Sequence, residues 1–408
     1  MSFNEPETIC VSRVQVKRRR PPAAVSDSTD FYFALTLKRL QPHAYPMSTR
    51  QHSEALRQSR VPDRVPRDRV FAALDFTPPD VVPLRIYAAA GGLHEHGRKL
   101  VDLIKACGHD FGDFSALQTP DPPTPGDVDD NGRYHAFKTD EWGATWEYRI
   151  FGIWGHPAKY PLDAPADVEA YSTPAPPPAS GRDFEEEKAR IDVEKAQYFT
   201  IGRGGSLFEK LHSLRRFEDV LMDIATDAPH INCLADKLVD YTAAQVRRSL
   251  ALDVDGISFG DDFGTQSALL LAPDTWRRFF KPRYQVLFAP IKSAGKKILF
   301  HCCGMIEPLL SDFKDLGVDV LWPQLPAFDM SDLAKRSRDL KLALELHPDR
   351  GDLMQSGSPA DIHHYVHRML DTFRTRAGGS WLYIEIDPGF PWPNVEALFK
   401  TAMKLRES

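Results

Sequence analysis

From about residue 184 onward, apolar runs of strand length alternate with amphipathic runs of helix length, and this alternation limits the fold more than any other feature. Strand-like runs end in KAQYFTIGRGG, DGISFGDD, KKILFHCCG, DVLWPQ, KLALELHPD and WLYIEIDPG, with helix-like segments such as PDTWRRFFKPRYQVLFAPIKSAG and PADIHHYVHRMLDTFRT between them. Upstream, VVPLRIYAAAGG reads as a further strand ending in glycine, set between the helical stretches VPRDRVFAALDF and EHGRKLVDLIKACG. Strands separated by helices of this length require right-handed parallel crossovers. The predicted class is therefore α/β. About eight such units favour a closed (β/α)8 TIM barrel over an open doubly wound sheet.

Residues 118–182 break the rhythm with QTPDPPTPGD, EWGATWEYRIFGIWGHP and STPAPPPASG. They are read as an aromatic- and proline-rich insertion with short strands in its middle. Residues 1–46, with the basic cluster Lys17–Arg20 followed by Pro21 and Pro22, show no period and are predicted to form a disordered extension. Met47 is a candidate natural start, and residues 47–408 are assigned to the barrel. A composition of 42% hydrophobic and 26% charged residues is that of a soluble globular protein. The net charge of -6 gives no general attraction for nucleic acid or an anionic membrane. No run approaches the roughly 18 to 20 apolar residues of a membrane helix, and the first residues lack a secretory apolar core. The expected location is the cytoplasm. Five cysteines, at 10, 107, 233, 302 and 303, make no disulfide framework, and the adjacent pair points to metal or redox chemistry.

In a parallel barrel the active site lies at the C-terminal ends of the strands. Here those ends carry histidine, carboxylate, cysteine, amide or glycine. The most informative is His301-Cys302-Cys303-Gly304. Alternate strand residues share a face, so His301 and Cys303 point together and Cys302 points the other way. An imidazole and a thiolate so placed can close on one zinc ion, although two ligands do not define a site, and the three side chains also fit as barrel filling. Candidates for a third ligand are Glu385, Asp261, Asp262 and His347. Glu385 interrupts the apolar WLYIEI, where a buried carboxylate needs either a cation or a structural ion pair. Asp261 and Asp262 are candidate catalytic residues that orient substrate or act as base, with helix capping as the alternative. Arg203 in the loop Gly202-Arg203-Gly204-Gly205 offers an anion cradle. Trp142 either covers a flat substrate or belongs to a satellite core. Gln266 and His347 complete the candidate substrate contacts.

The stretch from GISFGDDFGTQ to FHCCG and LWPQ closely resembles the uroporphyrinogen decarboxylase superfamily, in particular its corrinoid and coenzyme methyltransferase branch. RVFAALDFTPPDVVPLRIY, DEWGATWEY and IDPGFPWPNVEALFKTAMKL extend the resemblance over about residues 65–408. The resemblance implies a (β/α)8 barrel. Decarboxylases of this kind carry RQAGRY after the first strand, whose arginines hold substrate carboxylates; here AAAGGL stands there, with Ala88 and Gly92 in place of both arginines. The methyltransferase branch binds zinc through H-x-C, matched by His301 and Cys303, and through a later cysteine whose place falls on Ile384, beside Glu385. The expectation is thus a zinc-dependent methyltransferase with metal on His301, Cys303 and Glu385. It would move a methyl group between a corrinoid or small-molecule donor and an acceptor, a corrinoid donor being carried on a partner protein, in a monomer or homodimer. The alternatives are a decarboxylase, of uroporphyrinogen type or acting on a smaller carboxylated substrate, and a non-catalytic barrel binding a corrinoid or small molecule.

Overall fold

A computed structural model describes residues 64–407; the basic extension and Met47 lie outside them. In chain order the strands are β1 (Leu84–Tyr87), β2 (Ala136–Thr139), β3 (Thr145–Tyr148), β4 (His156–Lys159), β5 (Ile201–Gly205), β6 (Gly256–Gly260), β7 (Lys297–Cys302), β8 (Val320–Pro323), β9 (Ala343–Leu346) and β10 (Ser380–Glu385). Seven of them pair in the order β1-β10-β9-β8-β7-β6-β5, and every pair is parallel. These are the seven strand runs legible in the sequence. Their near-continuous apolar character follows from burial on both faces, as in other parallel sheets.

An eighth strand is where the structure departs from the predicted closed barrel. β1 and β5 are the two edges of a curled half-barrel, and they do not pair with one another. Between them Asp110 donates its N–H to Leu84 O at 2.9 Å and accepts from Phe199 N–H at 3.1 Å. One residue, not a strand, spans the gap at the N-terminal end. The segment around it cannot extend further as a strand, because Gly108 (φ 60°) and Gly112 (φ 146°) turn the chain on either side.

The helix Pro66–Leu74 packs Val70, Ala73 and Leu74 against Phe199, Leu299, Val320, Ala343 and Trp381. The strand residues among these, with Phe199 just ahead of β5, point to the sheet's interior, whereas Ile298, Phe300 and Cys302 belong to the larger core shared with the outer helices. The two-residue period of β7 therefore sends Leu299, His301 and Cys303 inward and Cys302 outward, as the sequence predicts.

AAAGGL forms the start of a short helix, Ala90–His96, in place of the expected strand end. A Cβ on Gly92 would lie 2.0 Å from Ile386 O, so no side chain fits at that position. In the insertion, β2, β3 and β4 form a separate antiparallel sheet. Among the described residues, no helix is long and apolar enough to cross a membrane.

Candidate metal centre

β7 ends at Cys302, and two residues on the chain turns at Gly304, which has φ 81°. The loops leaving β6 and β7 touch here: a Cβ on Gly304 would meet the Gly264 carbonyl at 2.2 Å, so only glycine allows this approach. Met305 N–H bonds to Thr265 O at 2.7 Å, and Gly304 N–H to the Gln324 side-chain oxygen at 2.9 Å. The final glycine of FHCCG thus brings the aspartates after β6 alongside the cysteines after β7.

His301 stands opposite Trp322 in the β7–β8 register. Its Nδ1 lies 3.0 Å from Trp322 O; a carbonyl only accepts, so Nδ1 carries the proton and Nε2 presents its lone pair. Burial keeps the ring neutral by lowering its pKa, outweighing the opposing pull of Asp262. Nε2 lies 3.3 Å from Cys303 Sγ and 3.5 Å from Asp262 Oδ1. The Asp262 carboxylate also accepts the Cys303 backbone N–H at 2.8 Å. One nitrogen, one sulfur and one oxygen thus lie within 4.8 Å of one another, and among the described residues this is the one such group of three. Burial, reinforced by Asp262, pushes the Cys303 thiol well above its ordinary pKa. Without a cation the sulfur stays protonated; a metal would reverse this, since it binds the thiolate. The donor set, one imidazole with a free lone pair plus thiol and carboxylate, fits zinc.

The other candidates separate. Glu385 is not in the group: Arg350 pairs with it at 2.9 Å, and the Tyr383 hydroxyl donates to it at 2.9 Å. Burial raises its pKa, against the pull of Arg350. Arg350 also holds Asp387 through two bonds of 2.7 and 2.8 Å. His347 is buried, its pKa lowered by burial to about 4, and it meets the Trp322 ring edge-on at 6.0 Å. Gln266 is exposed and reaches Gln324 only at 3.5 Å. Arg203 is exposed on the free edge strand β5. Trp142 is buried in the insertion, edge-on to Tyr241 at 4.6 Å and beneath the Lys210 ammonium at 4.5 Å. Sequence reasoning missed Trp322, Tyr383 and Arg350. Arg350 stood at the end of LELHPDR, but neither its reach to β10 nor the Trp322 carbonyl's hold on His301 has a local signal.

The two adjacent aspartates diverge in the same way. Asp261 is buried and accepts from Leu207 N–H at 2.9 Å, Glu209 N–H at 2.8 Å and the Tyr284 hydroxyl. It caps the helix Phe208–Leu214 from across the sheet. Burial outweighs these donors and raises its carboxyl from 3.8 to about 7. A raised carboxyl favours the folded state while protonated, and that stability is lost as pH climbs from about 4 through about 7. The loss amounts to about 4 kcal/mol at most, at about 1.4 kcal/mol per pH unit. Urea midpoints of wild type and Asp261→Asn, measured from about pH 4.5 to about pH 8 so as to cross the raised carboxyl value of about 7, should show the slope flattened in the variant. Parallel curves would remove Asp261 from this role.

The sequence model described as uroporphyrinogen decarboxylase (URO-D) matches residues 156–405. The chain belongs to the uroporphyrinogen decarboxylase family. The matched span contains the whole candidate centre and every parallel strand except β1. Among solved structures, a methyltransferase from Methanosarcina mazei aligns over 84% of this chain and 99% of its own, with TM-score 0.58 and 16% identity. At that identity the likeness establishes a shared fold. A dihydropteroate synthase from Xanthomonas albilineans aligns over 48% of this chain and 64% of its own at TM-score 0.29 and 13% identity, too little to bear on fold. A comparison with curated protein sequences gives no match.

Proposed function

We propose that this family member is a zinc-dependent methyltransferase, with the metal held by His301, Cys303 and Asp262. The convergence of those three donor atoms at the mouth of the sheet is the observation that carries the reading. A bound zinc would act as a Lewis acid, lowering the pKa of a thiol or hydroxyl acceptor. The likeness in fold to a methyltransferase is in accord with it.

The chain's own residues would prepare the site. Trp322 holds the imidazole tautomer through its carbonyl and lies against the ring at 4.0 Å between centroids. Tyr383 packs on Trp322 at 4.3 Å, giving the acceptor an aromatic wall. Arg350, neutralised by Glu385 and Asp387, makes a polar rim beside it. Asp262 braces the Cys303 backbone as well as facing the imidazole. The methyl source would be a corrinoid carried by a partner protein.

Purified protein should contain about one zinc per chain, the stoichiometry of a single catalytic site. Methyl transfer from methylcobalamin to a small thiol should be lost on chelation and restored by zinc. Sub-stoichiometric zinc, or activity indifferent to chelation, would sink this reading; turnover of uroporphyrinogen in its place would turn it toward decarboxylation.

A further inference from the structure

Among the described residues no strand fills the gap between β1 and β5. Between β1 and β5 lies a cleft of about 1000 Å³, walled by both edges and by the helices Arg182–Glu194 and Pro229–Ala251. That is at the upper end for a small-molecule site. Asp110 bridges the gap at the N-terminal end, and Tyr87, Gly205 and Gly260, at the C-terminal ends of β1, β5 and β6, line the cleft at the same end of the sheet as the metal candidates. Of these, Gly260 pairs with His301 in the β6–β7 register.

The walls have a definite chemistry. Four arginines (85, 190, 203 and 248) face the cleft against two glutamates, 187 and 194. Both glutamates are taken: Arg248 pairs with Glu187 at 2.5 Å and Arg190 with Glu194 at 2.9 Å. Arg85 is held from behind by Glu345 at 3.0 Å. Arg203 makes no ion pair and no side-chain hydrogen bond with any described residue, so its guanidinium is left to bind an oxyanion through its planar fork. Tyr87, Phe111 and Phe114 supply apolar faces beside these cations.

We propose that this lateral cleft binds the acidic end of a flat, partly apolar ligand, with Arg203 as its oxyanion partner. The ligand's other end would point past Gly260 toward Asp262 and His301. Only that last element rests on the metal reading; occupation of the cleft does not.

The test uses the full chain, chelator-treated, with 8-anilinonaphthalene-1-sulfonate as an aromatic anion and N-phenyl-1-naphthylamine as its uncharged counterpart. Saturable, blue-shifted fluorescence of the sulfonate is expected in wild type. Arg203→Ala should weaken it by about 10-fold, the size of one charge-assisted contact. The uncharged probe should be unaffected, and so should sulfonate binding in Arg98→Ala, whose side chain is 91% exposed on another helix. The proposal is overturned by sulfonate affinity unchanged in Arg203→Ala, by equal weakening in Arg98→Ala, or by no saturable binding. Because the protein is metal-free, these outcomes are independent of whether the zinc reading stands.

Discussion

His301→Ala, Cys303→Ser and Asp262→Asn are each expected to weaken zinc binding by about 100-fold or more, while Glu385→Gln changes it by less than about 3-fold. The difference rests on which donors are uncommitted. His301 Nε2 and Cys303 Sγ face one another, and Asp262 Oδ1 stands 3.5 Å from the imidazole. The Glu385 carboxylate is occupied by Arg350 and Tyr383. Releasing it would leave Arg350 with Asp387 alone, in a half-buried position where an unmatched charge is costly. Competition against a chromophoric chelator measures the four affinities directly. Loss of zinc in Glu385→Gln as severe as in Asp262→Asn would return the third ligand to the last strand.

Asp110→Ala should destabilise the fold by about 3 to 5 kcal/mol, the range for removing one partner from a buried charge cluster. Asp110 is 1% exposed and meets Arg69 on one carboxylate oxygen and Arg406, at 2.7 Å, on the other. It also accepts the Leu84 N–H at 2.7 Å. Arg69 and Arg406 are themselves buried, so the substitution leaves two guanidinium groups with lost partners. Arg69 retains Asp80, at 2.8 Å, and Arg406 retains the Val82 carbonyl, at 3.0 Å, which limits the loss. The same residue bridges β1 to the chain entering β5, so the damage falls where the sheet lacks a strand. A urea midpoint shift worth less than about 1 kcal/mol would show the cluster to be dispensable.

Much of this architecture was legible because its causes are local. Each of the seven parallel strands appears as a short apolar run with a glycine or polar stop, and each intervening helix as a longer amphipathic run. The eighth strand was counted from rhythm; HDFGD has neither the length nor the β-branched residues to form it. The insertion was visible through its prolines and aromatics, but whether Trp142 faced a ligand or a core depended on Tyr241, nearly a hundred residues away.

For the candidate centre, the sequence by itself determined that His301 and Cys303 share a face and that Cys302 does not, because the pleat of a strand is a property of neighbouring residues. It also placed two aspartates and Glu385 at strand ends. Which carboxylate joins the imidazole and thiol was decided by the tertiary structure alone. Contact between Gly264 and Gly304 swings Asp262 toward Cys303, the helix beginning at Phe208 draws Asp261 inward, and Arg350 claims Glu385. These are choices among long-range partners for a buried charge, and no local pattern encodes which partner arrives.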